Sequence, residues 1–525
     1  MNIKKTAWVT FILLIGFYLG LFWFNRYVPT QDGPCHLENA IHLRDLCLSG
    51  GTGVEQYYRL NRLTYSNLLY HTIVGAFGTV IPPLAAERLF FSIYVIGFAA
   101  AAYALARSTG AQTAVPAIAA LPYALAFPFH MGFFNYCAGL VIAFAAWAYF
   151  LWRRDGLRAR DFIILNAAGV LAYLTHAATA VILLAGLFVL NAWLAVGERV
   201  RERKGVKKRL AVFAALLPAF VLPAYFIAAW PPSGPRWLPW RDVATSFITG
   251  SSFRFYSAEQ LYLGLASLGV VLAAVAFRVI ARTPKAKSWL APRNGLLVLA
   301  LGTLALYFLA PDAASGFGVL SGRLLIIPWV LLLVWAGDDF IRTGRWVVFL
   351  AATAFALAFG VDTLSRYRKF NRELRDFCSG IEYVEDGSKV AYLYFSGWQY
   401  RIAVFAGASS YYAIGRDVLN FGNSEADQYT FPVNFDYDGF RPLPWDLWPC
   451  EKYRVRKFAP AVDYVITWEL PDKNPVAKKL WRFYKGVHAQ GRLMVFQVKD
   501  KYKKPRATKP KMRPSVTRPI HKPVR

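Results

Sequence analysis

The chain has 525 residues, 56% of them hydrophobic and only 17% charged, where a water-soluble chain would carry roughly a quarter charged. That apolar surplus needs lipid as well as a core, which excludes an ordinary soluble fold. A net charge of +29, from 60 Lys and Arg against 31 Asp and Glu, would raise nucleic acid as a partner. However, the basic residues sit in short loops between apolar blocks and in the tail, and no aromatic-interleaved basic motif accompanies them. Membrane lipids are expected as partners and nucleic acid is not.

The first apolar block, Ala7 to Trp23, follows Lys4 and Lys5. A cleaved signal peptide is the alternative, but no small-x-small site follows, and Phe22, Trp23 and Phe24 occupy the place where cleavage would fall. It is read as a retained first span with a cytoplasmic N-terminus. Further blocks fit spans at about 85–106, 113–129 and 134–152. The stretch 67–82 is interrupted by Ser66, Asn67, His71, Thr72 and Thr79 and closed by Pro82 and Pro83, so it is expected to lie on the outer face as an amphipathic or re-entrant helix.

Four basic loops, Arg153 to Arg160, Arg199 to Arg209, Arg282 to Arg293 and Arg342 to Arg345, are expected in the cytoplasm. Between them the sequence fits paired spans at 162–176 and 178–196, 209–230 and 260–280, and 295–310 and 324–341, and a last span at 345–363 follows. The total is about eleven, and an odd number sends the C-terminus outside. The expectation is an α-helical polytopic protein of the plasma (inner) membrane. Its transmembrane part is 1–363, with outer loops 29–84, 130–134, 231–259 and 311–323.

From residue 364 charges, Gly and Pro return, and 364–499 reads as a small soluble α/β domain outside the membrane. Val390 to Phe395, Val462 to Trp468 and Leu493 to Val498 predict buried strands. Leu364 to Phe377 predicts a charged amphipathic helix and Ile402 to Tyr412 a second helix. The basic, Pro-rich tail 500–525 has nothing apolar to bury and predicts disorder. The five Cys fit neither a zinc site nor a dense disulfide scaffold, although Cys378 and Cys450 share the exported domain, where a disulfide is allowed.

Polar residues that are hard to explain structurally collect in three outer loops. The first contains Gln31-Asp32-Gly33-Pro34-Cys35-His36-Leu37-Glu38-Asn39, in which Gly33-Pro34 opens a helix. Asp32 either caps that helix or, beside His36, supplies a general base for a hydroxyl; Glu38 is a further binding candidate. The second, Phe129 to Tyr136, offers His130 and Asn135 to a polar ligand, unless they are only turn and interface residues; His176 is a weaker candidate of the same kind. The third, Pro311 to Arg323, is Gly-rich and delivers one Arg to the top of an apolar span, where it either snorkels to the headgroups or holds a phosphate. Arg236, Arg241 and Arg254, in the aromatic-rich loop before residue 260, offer the same choice.

The arrangement resembles the GT-C superfamily of integral membrane glycosyltransferases. The features that carry the resemblance are the Asp just beyond the first span in Gln31-Asp32-Gly33-Pro34-Cys35-His36, the amphipathic helices that follow, the late outer loop ending in Arg323, and the exported C-terminal domain. It implies transfer of a sugar from a polyprenyl-phosphate carrier to a glycan, lipid or protein acceptor, with Asp32 as base or acceptor-binding carboxylate and Arg323 on the lipid phosphate. Many members carry a second acidic residue in the first or second outer loop; Phe129 to Tyr136 has none, so no metal or other cofactor is expected. Two other classes compete. A transporter or flippase for envelope polysaccharide would need ionisable side chains inside the spans, which hold almost none; a non-catalytic anchor for the exported domain would leave the loop residues only to stabilise helix ends.

Overall fold

A computed structural model describes residues 2–48, 53–61, 66–202, 206–229, 234–280, 289–313, 318–338, 342–396, 400–428, 430–436, 450 and 453–503. Helix α1 (Ile3–Trp23) starts at Asn2, whose side chain accepts from the Lys4 amide at 3.0 Å, a standard cap. After a short extended stretch come α2 (Gly33–Leu48), the strand β1 (Tyr58–Leu60) and α3 (Leu69–Phe77). At nine residues α3 is about 14 Å long by the helical rise, too short to cross a bilayer, and it packs along α2. Close approach is possible because residue 75 is Gly: a Cβ there would lie 2.7 Å from the Ala40 carbonyl oxygen. The polar interruptions that make 67–82 an implausible span thus correspond to a short amphipathic helix, buried at Tyr70, His71, Val74 and Gly75 and exposed at Thr72 and Ala76.

Next stand α4 (Pro83–Ser108), α5 (Val115–Ala120), α6 (Phe127–Met131) and α7 (Phe134–Arg153). The expected span at 113–129 is broken: Pro116, Pro122 and Pro128 recur every sixth residue, and a 3-10 turn over Leu121–Leu125 separates α5 from α6. Each Pro falls in the first turn of its own element, where its missing donor is tolerated, and Pro122 and Pro128 cannot continue the helix before them, so the segment is built of three short pieces. Its residues from Thr113 to Met131 are buried, which lets neighbouring helices tolerate the breaks. Then follow α8 (Ala159–Thr175), α9 (Ala177–Glu202), α10 (Val206–Leu216), α11 (Val221–Ala229), α12 (Trp240–Ile248), α13 (Leu261–Ile280), α14 (Asn294–Leu309), α15 (Leu320–Leu324) and α16 (Ile326–Ala336).

Among the described residues seven helices are long and apolar enough to cross a membrane, and three shorter apolar ones accompany them. The described residues of the segments read as spans are largely helical, with 3-10 turns interrupting 113–129 at Leu121–Leu125 and 209–230 at Leu217–Phe220. Large side chains on these helices, among them Ile12, Leu13, Leu217, Val221 and Leu350, are exposed. An apolar surface of that kind is stable only against lipid.

The last span does not stop at residue 363. Helix α17 (Arg342–Cys378) runs unbroken for 37 residues, about 55 Å by the helical rise against roughly 30 Å of hydrocarbon. The charged helix expected from Leu364 is therefore its projecting end, because nothing between Val361 and Leu364 terminates it. It leads into the strands β2 (Ser388–Tyr394), β3 (Val418–Asn420) and β4 (Val433–Phe435), then α18 (Val455–Phe458), β5 (Tyr464–Trp468), α19 (Pro475–Phe483), β6 (Tyr484–Gln490) and β7 (Leu493–Val498).

The five-stranded sheet has the order β3-β2-β5-β7-β6, with β3, β2 and β5 parallel and β7 and β6 antiparallel. The strand β4 instead pairs with β1, Tyr58 opposite Phe435, and so stitches the first loop to the C-terminal domain. The predicted helix at Ile402 to Tyr412 is not an α-helix; only a 3-10 turn at Ala408–Tyr412 forms. Nearly all of that segment is buried, so it has no exposed face from which a helical period could be read. Cys378 and Cys450 are free thiols. The tail expected to be disordered lies outside the described residues from 504 onward.

Candidate functional site

The site is built where α1 hands over to α2. The Gln31 amide donates to the His130 carbonyl at 2.9 Å and the Asp32 amide to the Met131 carbonyl at 3.1 Å, so the end of the broken α5–α6 segment fixes the backbone that carries Asp32. Gly132 makes this possible: its φ is +100°, and a Cβ would lie 2.9 Å from Asp32 Cβ and 3.0 Å from the Gly33 nitrogen. The Asp32 carboxylate accepts from Gln31 Nε2 at 3.3 Å. Among the described residues it accepts from no amide of the first turn of α2, so it does not serve as the cap that its position suggested. Gln31 Oε1 accepts from the Ala403 amide at 3.0 Å, which ties the same side chain to the C-terminal domain.

Asp32 faces a cavity of about 140 Å³ whose wall also includes His36, Asn135, His176, Arg323 and Glu425. Arg323 is the penultimate residue of α15. It donates to His176 Nε2 at 3.2 Å and lies 3.8 Å over the Phe133 ring. Its Nε is buried without a hydrogen-bond partner, and among the described residues no carboxylate pairs with it. Asn135 braces the wall: Oδ1 accepts from the Tyr70 amide at 2.8 Å and Nδ2 donates to the Asn67 carbonyl at 3.0 Å. Asn67 itself has φ +59°, a left-handed conformation that Asn tolerates better than most residues.

The C-terminal domain supplies the opposite wall through Ser424, Glu425, Gln428, Thr430 and Phe431. Glu425 is buried; one of its oxygens lies 2.5 Å from His36 Nδ1 and the other 3.6 Å from His71 Nε2. Asn39 Nδ2 donates to it at 3.1 Å. Burial pushes the Asp32 carboxyl up to about 6, with Glu425 adding to the rise and His36, Gln31 and Arg323 opposing it. Burial alone would raise Glu425 too, but His36 and His71 outweigh it and hold Glu425 well below the usual carboxylate range. Burial works against a charge on His36, yet Glu425 and Asp32 raise it overall; on His71 burial wins and lowers it. The balance thus favours the carboxylate on Glu425, the protonated form on His36 and the neutral imidazole on His71. His71, His36 and Glu425 are also the residues here that could hold a metal ion.

Of the residues singled out in the sequence, Asp32, His36, Asn135, Arg323 and the weaker candidate His176 meet at this cavity. The others do not line it. Glu38 is buried and accepts from Tyr58 Oη at 3.3 Å and Asn420 Nδ2 at 2.9 Å, with His42 at 3.2 Å, so it joins α2, β1 and β3. The His130 ring is buried against Phe255, centroids 4.2 Å apart, with Nε2 3.1 Å from Tyr367 Oη; its contribution is its backbone carbonyl. Arg254 lies over Tyr400, 5.6 Å from the ring centre. Glu425, His71 and Asn67 were not picked out as site residues. Nothing in Asn420-Phe421-Gly422-Asn423-Ser424-Glu425 distinguishes that glutamate from a solvated loop residue, and only tertiary contact reveals it.

No family model and no curated protein sequence matches the chain. Among solved structures, it superposes on ArnT from Cupriavidus metallidurans in the apo state with TM-score 0.54 and 11% identity, covering 96% of this chain and 100% of that one. The same protein bound to undecaprenyl phosphate gives TM-score 0.53 and 13% identity, over 95% and 100% of the two chains. Arabinofuranosyltransferase AftD from Mycobacteria, at TM-score 0.48, 13% identity and coverage of 93% and 40%, is too distant to carry an argument. End to end, then, this chain shares the fold of ArnT, as its resemblance to the GT-C superfamily implies.

Proposed function

We propose that the chain is a membrane glycosyltransferase that moves a sugar from a polyprenyl-phosphate carrier to an acceptor hydroxyl on the outer face, with Asp32 as the base. The observation that carries this reading is the meeting of Asp32, from the first loop, and Arg323, from the late one, at a single cavity. Among the described residues no carboxylate pairs with Arg323, a cation in a half-buried wall, which suits it to a phosphate. Asp32, held at about 6, is ionised near neutral pH yet basic enough to take a proton. The fold shared with a protein crystallised with undecaprenyl phosphate supports the choice of carrier.

In this scheme the acceptor oxygen attacks the anomeric carbon while Asp32 removes its proton, and the sugar–phosphate bond breaks with its electron pair on the phosphate beside Arg323. Asn135 and His36 frame the space between them. Incubating the purified protein with a radiolabelled polyprenyl-phosphate sugar and envelope lipid or glycan acceptors tests the proposal. Transfer by the wild type and its loss in Asp32→Asn is the expected outcome; equal transfer by both at matched protein levels would remove Asp32 from the mechanism.

A further inference from the structure

The trio at the edge of the cavity has a feature that base catalysis leaves unused. His71 Nδ1 lies 2.8 Å from the Asn67 carbonyl. A carbonyl only accepts, so Nδ1 carries the ring proton and Nε2 presents a lone pair. That lone pair belongs to a side chain with 0% exposure, has no hydrogen-bond partner among the described residues, and stands 3.6 Å from a carboxylate oxygen of Glu425. Two acceptors facing each other in a buried space repel unless a cation lies between them. His36 approaches from the other side with Nδ1, and its ring also hydrogen-bonds a backbone carbonyl, that of Gly132.

We infer that His36 Nδ1, His71 Nε2 and the Glu425 carboxylate form a binding site for a zinc-type divalent transition-metal ion. The three ligand atoms lie within 4.8 Å of one another and all three side chains are buried. Two imidazoles with one carboxylate is a donor set that favours zinc, cobalt or nickel; magnesium and calcium prefer oxygen alone. Both rings are backed by a backbone carbonyl, the outer-shell support that orients metal-binding histidines. A metal-bound imidazole carries no proton on its ligating nitrogen, so binding releases any proton shared between His36 Nδ1 and Glu425, and the two side chains, now 2.5 Å apart, open to admit the ion. His36 and Glu425 also line the cavity, which leaves room for a fourth ligand from that side.

The ion would join α2 and α3 to the C-terminal domain, independently of whether the chain transfers sugars. The test uses the full-length protein in detergent, stripped with a chelator, dialysed against micromolar Zn2+ and analysed for metal content, with Co2+ absorption as a readout of ligand geometry. About one ion per chain is expected, with an intense tetrahedral Co2+ spectrum and a raised Tm. His71→Ala and Glu425→Gln should each weaken retention by more than ~100-fold, beyond what loss of outer-shell support costs. His488→Ala, whose ring stacks on Tyr383 far from the trio, should retain the ion. Failure of the wild type to hold zinc, retention unchanged in both His71→Ala and Glu425→Gln, or equal retention of Mg2+ would overturn the assignment. Loss of sugar transfer with zinc retained would overturn only the transferase reading.

Discussion

Replacing Arg323 with Met separates binding from stability. Among the described residues the guanidinium has a contact with His176, the face of Phe133, a buried Nε without a partner, and no carboxylate. Each of the two contacts is worth about 1 kcal/mol, while removing a cation from water costs several kcal/mol. Met has similar length and no charge, and it can fill the space against Phe133. Thermal unfolding in detergent should therefore show a Tm equal to or above the wild type. Carrier binding should move the other way: a charge-assisted contact to phosphate contributes about 1.5–3 kcal/mol, so the Kd for a polyprenyl phosphate should rise about 10- to 150-fold. Arg323→Lys should fall between the two, keeping the charge but losing the planar stacking. A clear fall in the Tm of Arg323→Met with unaltered lipid binding would show that Arg323 is a structural cation, and the phosphate role would be withdrawn.

Asp32→Asn keeps the size of the side chain but not its basicity, so turnover in a transfer assay should drop about 10²-fold or more while carrier binding persists. The wild-type rate should rise with pH through about 6 as the carboxyl loses its proton, and the residual activity of Asp32→Asn should lack that limb. Gly132→Ala must force a left-handed residue to carry a Cβ, at roughly 1–2 kcal/mol, and push into Asp32; transfer should fall at least ~10-fold, and a fully active variant would show that the backbone pairing at 31–32 does not set the geometry. Glu425 has its folded pKa depressed, so its stabilisation is full above the ordinary carboxylate value of 4.5 and declines as pH falls toward 2; the Tm advantage of the metal-free wild type over Glu425→Gln should shrink along that range, and a constant difference would contradict the ion pair. Labelling of Arg160→Cys from the cytoplasm and Lys478→Cys from outside intact cells is expected from the basic-loop pattern; protection of position 478 from external reagent would reverse the orientation.

The helices were legible because lipid imposes a simple rule: an apolar block of about 20 residues is a span whatever it packs against. Hence α1, α4, α7 and α9 follow the sequence closely. What broke the reading is tertiary. Pro116, Pro122 and Pro128 divide the third segment, which survives only because its surroundings are packed. No local signal ends the last span, so α17 carries on into the charged segment. In the C-terminal domain the buried central strands β2, β5 and β7 read clearly from their apolar runs. The edge strand β6, Tyr-Lys-Gly-Val-His-Ala-Gln, did not, because its mostly exposed residues carry no apolar run. The site divides in the same way. Asp32, His36 and Arg323 stand out because charge near a membrane surface is costly and conspicuous, whereas Glu425 in a soluble domain is neither.

That asymmetry bears on what the C-terminal domain is for. Several polar residues of the first loop that looked available to a substrate are already occupied: Glu38 by Tyr58, His42 and Asn420, and Asn39 by Asn423 and Glu425. These bonds are buried, so leaving any member unpaired costs the full desolvation of that group, and the set is satisfied only when the domain sits in one position. β1 pairing with β4 and Gln31 bonding to Ala403 impose the same position from two other directions. Glu425 is delivered by that docking, and with it the charge that raises His36 and contributes to the raised Asp32 carboxyl. The electrostatic state of the candidate base therefore depends on a domain that is distant in sequence, and a substitution at the docking surface, such as Asn420→Ala, acts on the cavity through Glu38 and α2 without touching it.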